Sequence, residues 1–153
     1  MPQQLNRTAA NPRRRLVRWC LATYGLLLVL GTHWPQDLLS GAGRLAPSDK
    51  RLHFMAYAGL AGLLAAVLVP RHGGSPQATP RTWPTLSWSL IGLAIAVAFG
   101  LVDEATQPWT GRDFEWADWF ADTCGAVVGA ALAAGAIGFR AQRASAPGAR
   151  LED

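Results

Sequence analysis

Four long apolar stretches alternate with polar segments along the chain. They run from about Leu16 to Trp34, Leu52 to Val69, Leu86 to Val102 and Trp119 to Phe139. Each is close to the roughly 20 residues that a helix needs to cross the hydrocarbon core of a bilayer. A helix also satisfies its own backbone hydrogen bonds, which lipid cannot do. The pattern predicts an all-α, polytopic membrane protein with four transmembrane helices in a compact bundle.

Proline and glycine mark the boundaries of these stretches. Pro35 ends the first stretch and Pro70 ends the second. We expect the third to continue as a helix to Gln107, just before Pro108, because the residue before a proline disfavours helical backbone. Residues 71–84 are rich in Gly and Pro, which is typical of a flexible connection.

The first stretch has a second interpretation. A basic segment followed by apolar residues also resembles a secretory signal peptide. No clear small-x-small cleavage site follows directly, and Trp34 fits an interfacial anchor, which favours a retained helix. Cleavage would leave three spans and an external N-terminus. The sequence leaves this alternative open.

Composition favours a membrane environment over nucleic-acid binding. Half of the residues are hydrophobic and 16% are charged, below the roughly 25% that is typical of soluble domains. The net charge of +4 does not come from a basic stripe with aromatics, so we expect no nucleic-acid partner. The seven Trp flank the apolar runs, like an interfacial aromatic belt. Cys20 and Cys124 lie within apolar runs and are predicted to be buried free thiols.

Lysine and arginine indicate the orientation. Ten of the fourteen lie in the N-terminal tail, the 71–84 connection or the C-terminal tail, and four lie on the other side. The positive-inside rule makes the first side cytoplasmic. We therefore expect a multi-pass inner-membrane protein with both termini in the cytoplasm. The expected organisation is a disordered basic tail over 1–15, a transmembrane domain over 16–139 and a disordered tail over 140–153.

Eight of the ten acidic residues fall on the outer side, where three helix ends should meet. Asp49, His53 and Tyr57 are spaced i, i+4, i+8 and share one helix face. The third helix ends with Asp103, Glu104 and Gln107, Arg112 follows in the loop, and the fourth helix begins with Asp118 and Asp122. Ionisable residues within a membrane bundle commonly mark a site. We therefore predict one polar pocket at the outer leaflet, with the four carboxylates of the last two helices around Arg112.

Small residues should direct these carboxylates into the bundle. Gly92, Ala96 and Gly100 form a stripe on the third helix, and Gly125 and Gly129 continue the face of Asp118 and Asp122 on the fourth. Small stripes let helices approach closely, so we expect the third and fourth helices to pack through them. The residues expected to be solvated at the flanks of the helices are Lys50, Arg51, Asp113 and Glu115. His33 and His72 are expected to be ordinary loop residues.

The order of these residues resembles the VanZ-like membrane proteins. The resemblance rests on D-K-x-x-H-F-x-x-Y at 49–57, D-E-x-x-Q at 103–107, Arg112, and D-x-x-x-D-x-x-G-x-x-x-G at 118–129. It implies a small helical bacterial membrane protein whose namesake is linked to low-level teicoplanin resistance. It supplies no settled biochemical activity. Many relatives have Asn where this chain has Asp122, so the charge at that position is a departure.

The leading hypothesis is that the protein binds or modifies a cell-envelope component, such as a lipid-linked phosphate or a cell-wall intermediate. Lys50, His53 and Arg112 could contact an anion, while Glu104 and Asp118 could orient those bases, accept a proton or hold a divalent cation. No cofactor is predicted with a diagnostic ligand spacing, and enzymatic activity and oligomeric state are left open. A structural scaffold held by ion pairs and a small proton-coupled transporter are the alternatives. The predicted catalytic residues are His53, Tyr57, Glu104 and Asp118, and the predicted substrate-binding residues are Asp49, Lys50, Asp103, Gln107, Arg112 and Asp122.

Overall fold

The computed structural model describes residues 12–34, 49–69 and 82–145, and within them the chain is all-helical. The helices are α1 Pro12–Thr32, α2 Asp49–Leu68, α3 Thr82–Thr106 and α4 Trp116–Ser145. A short 3₁₀ turn, Gln107–Thr110, follows α3. All four helices are long and apolar enough to cross a membrane, which confirms the prediction from hydropathy.

The helices extend further into polar sequence than the apolar stretches indicate. α2 begins at Asp49, α3 begins at Thr82 within the expected flexible connection, and α4 runs on through residues 140–145 of the expected C-terminal tail. α1 begins at Pro12, inside the expected N-terminal tail. An acidic residue in the first turn or a basic one in the last favours a helix electrostatically, and α4 has Asp118 and Arg143 at these places. The rest of the predicted tails and of the 71–84 connection lies outside the described residues.

The bundle is apolar on its outside. Large hydrophobic side chains such as Met55, Phe120 and Leu132 are about two-thirds exposed, at 69%, 65% and 70%. A soluble protein rarely exposes contiguous apolar surface on this scale. Half of the residues in the buried core cluster are alanines, among them Ala61, Ala96 and Ala126, and small residues are common where helices associate within lipid. The surface therefore suits four helices surrounded by acyl chains.

The closest helix contact joins α2 and α4. A Cβ atom added at Gly125 would collide with the carbonyl group of Phe54, and one added at Gly129 would collide with that of Ala58. The stripe predicted on the fourth helix is thus a contact surface, but its partner is the second helix and not the third. Sequence spacing identifies which face of a helix carries the small residues, but not which neighbouring helix packs against that face.

The stripe on α3 also faces α2. Gly92 lies against Leu64 and Ala65, where an added Cβ would be 3.4–3.5 Å from the nearest atoms. Gly100 lies against Tyr57 of α2 and Asp122 of α4. α2 is therefore the central helix of the bundle, and it brings its polar residues between those of α3 and α4.

α1 packs against one side of the bundle, where its neighbour is α2. The Tyr24 hydroxyl donates a hydrogen bond of 2.8 Å to the carbonyl of Ala56, and it also lies directly against Gly59. The C-terminal end of α1 reaches α3, where Thr32 bonds Asp103. All four helices thus present an end to the same region of the molecule.

The exposure of the tryptophans agrees with the sequence-based prediction, and that of the cysteines does not. Trp34, Trp109 and Trp116 are exposed around the end of the bundle where Thr32, Thr106 and Asp118 lie, as the belt interpretation predicts. Cys20 and Cys124 are free thiols. The expectation that both are buried is wrong, because Cys20 is exposed on the outer face of α1 and Cys124 is only half-buried.

Candidate functional site

A buried polar cluster occupies the end of the bundle where α2 and α4 begin and α3 ends. Eight of its residues are almost completely buried: His53, Tyr57, Asp103, Glu104, Gln107, Arg112, Asp118 and Asp122. Asp49 and Lys50 lie at its edge, with about half of each side chain exposed. Asp49 and Asp118 fall in the first turns of their helices, where the helix dipole stabilises a negative charge.

His53 is the centre of the cluster. Its Nδ1 atom lies 2.9 Å from Asp122 Oδ1 of α4 and 3.8 Å from Glu104 Oε1 of α3. Its Nε2 atom lies 4.0 Å from Asp49 Oδ1, one turn earlier on α2. One imidazole therefore has buried carboxylates on one side and a partly exposed carboxylate on the other.

Neutral donors hold Glu104 in place. The Gln107 amide donates a 2.7 Å hydrogen bond to Oε1, and the main-chain N–H of Glu115 donates a 3.2 Å bond to Oε2. The 3₁₀ turn and Gly111, whose φ of 79° is left-handed, lead the chain back so that Glu115 can reach Glu104. The Glu104 side chain is fully buried, and these contacts fix its orientation without neutralising its charge.

Two cations pair with the outer carboxylates. Lys50 Nζ donates to Asp118 Oδ1 at 2.9 Å and to Glu115 Oε2 at 3.1 Å. Arg112 Nη2 donates to Asp49 Oδ2 at 3.0 Å. Each pair joins α2 to α4 or to the segment before it, so the pairs also hold the end of the bundle together.

Asp103 lies in a separate part of the cluster, next to α1. Thr32 Oγ1 donates to Asp103 Oδ1 at 2.9 Å, and His33 Nδ1 lies 3.5 Å from the same oxygen. His33 Nε2 is also 2.9 Å from Thr106 Oγ1. Sequence reasoning missed Thr32 and His33, because a threonine and a histidine at a helix end carry no pattern that connects them to a residue seventy positions away.

Several polar atoms of the cluster are buried without a hydrogen-bond partner. Among the described residues of the cluster these are Tyr57 Oη, Asp103 Oδ2, Arg112 Nε and Asp122 Oδ2. An unsatisfied buried polar group costs roughly 1–3 kcal/mol. Native structures contain few such atoms, so a concentration of them in one place calls for a physical explanation.

The structure brings most of the predicted site residues together but corrects the position of Arg112. The four carboxylates of α3 and α4 point into the bundle, as predicted. They do not surround Arg112, which pairs with Asp49. Asp118 is paired with Lys50, and Asp122 with His53. Glu115, expected to be only a solvated residue, contributes its side chain to Lys50 and its main chain to Glu104.

Two overlapping groups in the cluster have the geometry to hold a metal ion. One consists of Asp49, His53 and Asp118, and the other of His53, Glu104 and Asp122. Within each group, one potential ligand atom per residue lies within 4.8 Å of the others. The three residues of the second group are all buried.

An apolar groove of about 460 Å³ runs beside the cluster on the outer surface of α2 and α4. Its lining combines two basic residues at the end nearest the cluster with apolar side chains further along the helices: Lys50, Arg51, Phe54, Met55, Phe120, Ala121 and Cys124. Lys50 therefore belongs both to the groove and, through Asp118, to the buried cluster.

Comparison of the chain with protein-family models, with curated proteins and with solved structures finds no match.

Proposed function

We propose that the protein is a multi-pass protein of the bacterial inner membrane, with both termini in the cytoplasm and α1 retained. The exposed apolar surface and the four long apolar helices support membrane insertion. The distribution of basic residues supports the orientation. The contacts of α1 support its retention, because Tyr24 and Thr32 hold α2 and Asp103 through side-chain hydrogen bonds. In this orientation the polar cluster lies at the outer leaflet.

Its function, in this proposal, is to bind or modify an anionic component of the cell envelope, of the lipid-linked phosphate class. The observation that carries the proposal is the position of Lys50 between the buried cluster and the apolar groove. A phosphate held by Lys50 and Arg51 would place its hydrocarbon chain along Phe54, Met55 and Phe120. Arg51 makes no ion pair with the residues that the structure describes, so its charge is available to an anion.

Binding is better supported than covalent catalysis by a tyrosine. His53 pairs with Asp122 and not with Tyr57. The buried Tyr57 hydroxyl is near Asp103 but has no partner within hydrogen-bond distance in the described part of the chain. A nucleophile normally lies within hydrogen-bond reach of its base. In the proposed function, Lys50 and Arg51 contact the phosphate, while Asp49 and Asp118 hold Arg112 and Lys50 at the entrance.

Kinship with VanZ-like proteins is part of the same proposal. The ordered residues that carry the resemblance include those that meet in the cluster, among them His53, Glu104 and Asp118. A link to teicoplanin resistance would fit a ligand of the cell wall. Susceptibility of a deletion strain to teicoplanin, measured with and without the complementing gene, tests that link.

Mass spectrometry of lipids that co-purify with the protein in mild detergent tests the proposed ligand. Wild-type protein should retain an anionic lipid that Arg51→Gln and Lys50→Gln lose. Arg140→Gln is the matched control, because Arg140 is exposed near the other end of α4. The same lipid profile in all four proteins would contradict the proposal.

A structural scaffold is the second candidate. Ion pairs of Lys50 with Asp118 and of Arg112 with Asp49 join separate elements of the bundle, which favours a role in fixing helix positions. Asp118 and Arg112 are buried while Lys50 and Asp49 are half exposed, so loss of one partner should destabilise the bundle, but by less than in a fully buried pair. A scaffold therefore predicts that Asp118→Ala loses stability and that Arg51→Gln has no effect on any readout.

A further inference from the structure

The charges of the polar cluster are not evenly compensated. Lys50 and Arg112 neutralise its outer part by pairing with Asp118 and Asp49. The inner part has Glu104 and Asp122, and within the described residues His53 is the one basic side chain that pairs with them.

When both buried carboxylates are ionised beside one protonated imidazole, one negative charge has no partner, and either a proton or a cation must balance it. Neutral donors from Gln107 and the Glu115 main chain orient Glu104 but do not remove its charge. An uncompensated buried charge is unfavourable by several kcal/mol. A bound cation would remove this imbalance, and the outer group of Asp49, His53 and Asp118 has much less need of one.

Unsatisfied atoms lie in the same inner region. Asp122 is fully buried, and its Oδ2 atom has no partner among the described residues. The Tyr57 hydroxyl also has no partner within hydrogen-bond distance among the described residues, but it interacts more strongly with Asp103 than with Asp122. Both side chains lie against Gly100: an added Cβ there would be 3.1 Å from Tyr57 Cε1 and 3.2 Å from Asp122 Oδ2. Asp122 therefore has one oxygen in contact with His53 and a second, buried oxygen with a free lone pair, which makes its side chain a possible metal ligand.

The spacing of the inner group suits a small divalent cation. In a tetrahedral zinc site with bonds of about 2.0–2.1 Å, neighbouring ligand atoms are roughly 3.3 Å apart. His53 Nδ1 lies 2.9 Å from Asp122 Oδ1 and 3.8 Å from Glu104 Oε1, on either side of that value. The shorter contact is a hydrogen bond that metal binding would replace. Asp49 Oδ1 lies 4.0 Å from Nε2, beyond hydrogen-bond distance, but on the side where the remaining ring N–H of a metal-bound histidine usually meets a carboxylate.

We propose that His53, Glu104 and Asp122 bind one divalent transition-metal ion, of the Zn²⁺ or Mn²⁺ class. An imidazole with two carboxylates favours these ions over Mg²⁺ and Ca²⁺, which prefer oxygen ligands throughout. Gln107 and the Glu115 main chain act as the supporting contacts that orient Glu104. Three protein ligands leave a coordination position for a further ligand. The site is independent of the lipid-linked phosphate proposed above.

Metal content and affinity of the purified full-length protein test the site. The protein is stripped with chelator, titrated separately with Zn²⁺ and Mn²⁺ by calorimetry, and analysed by inductively coupled plasma mass spectrometry after desalting. Wild type should bind one ion per chain. Asp122→Asn should weaken binding at least tenfold, since it removes a charged ligand but keeps an oxygen for the contact with His53.

Asp118→Asn is the matched control. Asp118 is equally buried and belongs to the outer metal-capable group, but not to the inner one. The Asp118→Asn protein should bind metal as wild type does. If Asp118→Asn lost metal binding while Asp122→Asn kept it, the assignment would be overturned. Failure of folded wild-type protein to bind either ion at stoichiometric level would also overturn it. Glu104→Asp, which keeps the charge but shortens the side chain, should weaken binding as well and serves if Asp122→Asn does not fold.

Discussion

Replacement of Gly125 by alanine tests the packing on which the polar cluster depends. The added Cβ would collide with the carbonyl of Phe54 and lie only 2.8 Å from its carbon and 3.0 Å from its Cα. These are backbone atoms of α2, so no side-chain rotation can relieve the contact. Carbon atoms in contact prefer separations of about 3.5–4.0 Å, so the two helices must move apart by roughly 1 Å.

The predicted decrease in the free energy of unfolding has two contributions. Overpacking of a tight contact costs about 1–3 kcal/mol. Gly125 also lies one turn from Asp122, whose 2.9 Å contact with His53 joins the same two helices. A shift of roughly 1 Å would break this contact, and loss of a hydrogen bond adds about 1 kcal/mol. We expect Gly125→Ala to lower the free energy of unfolding by roughly 2–4 kcal/mol.

Reversible unfolding in mixed detergent micelles, followed by tryptophan fluorescence, measures the effect. Gly135→Ala is the matched control on the same helix, because an added Cβ there meets nothing within 4 Å. It should be neutral or slightly stabilising, since alanine is the better helix former. Equal stability of the Gly125→Ala and Gly135→Ala proteins would refute the close contact between α2 and α4.

Three further predictions follow from topology and hydrogen bonding. A phosphatase reporter fused to the C-terminus should be inactive, because the proposed orientation places that terminus in the cytoplasm. An active fusion would reverse the orientation. Tyr24→Phe should lower stability by about 0.5–1.5 kcal/mol through loss of its hydrogen bond to α2, and an unchanged unfolding midpoint would contradict this. Glu104→Gln should be more destabilising than Asp122→Asn in the metal-free protein. Both Glu104 oxygens accept hydrogen bonds, so the new NH₂ group would face an N–H donor of either Gln107 or Glu115. The reverse order of unfolding midpoints would argue against the hydrogen bonds assigned to Glu104.

Hydrophobic length was sufficient to predict the four helices, because each apolar run matches the thickness of a bilayer. It did not predict their ends. Asp49 and residues 140–145 are polar but helical, since the backbone of a helix can continue beyond the apolar segment wherever no residue breaks it.

The site was predictable in composition but not in pairing. Helical spacing was enough to predict that Asp49, His53 and Tyr57 share one face, and the small residues of α4 indicated that Asp118 and Asp122 are buried. The partner of Arg112 could not be predicted, because the path of the chain between α3 and α4 depends on the 3₁₀ turn and on Gly111. For the same reason, spacing within one helix could not show that α2 lies between α3 and α4.

The central claim is that the end of the bundle around Lys50 recognises a phosphate attached to a hydrocarbon chain. Titration of a polyprenyl phosphate and of the uncharged polyprenol into purified protein in nanodiscs, followed by native mass spectrometry, tests it most directly. We expect saturable binding of one phosphate-bearing lipid per chain, and this binding should be at least tenfold weaker in Arg51→Gln. The uncharged alcohol should show no saturable binding. Equal association of both lipids with wild type and with Arg51→Gln would contradict it.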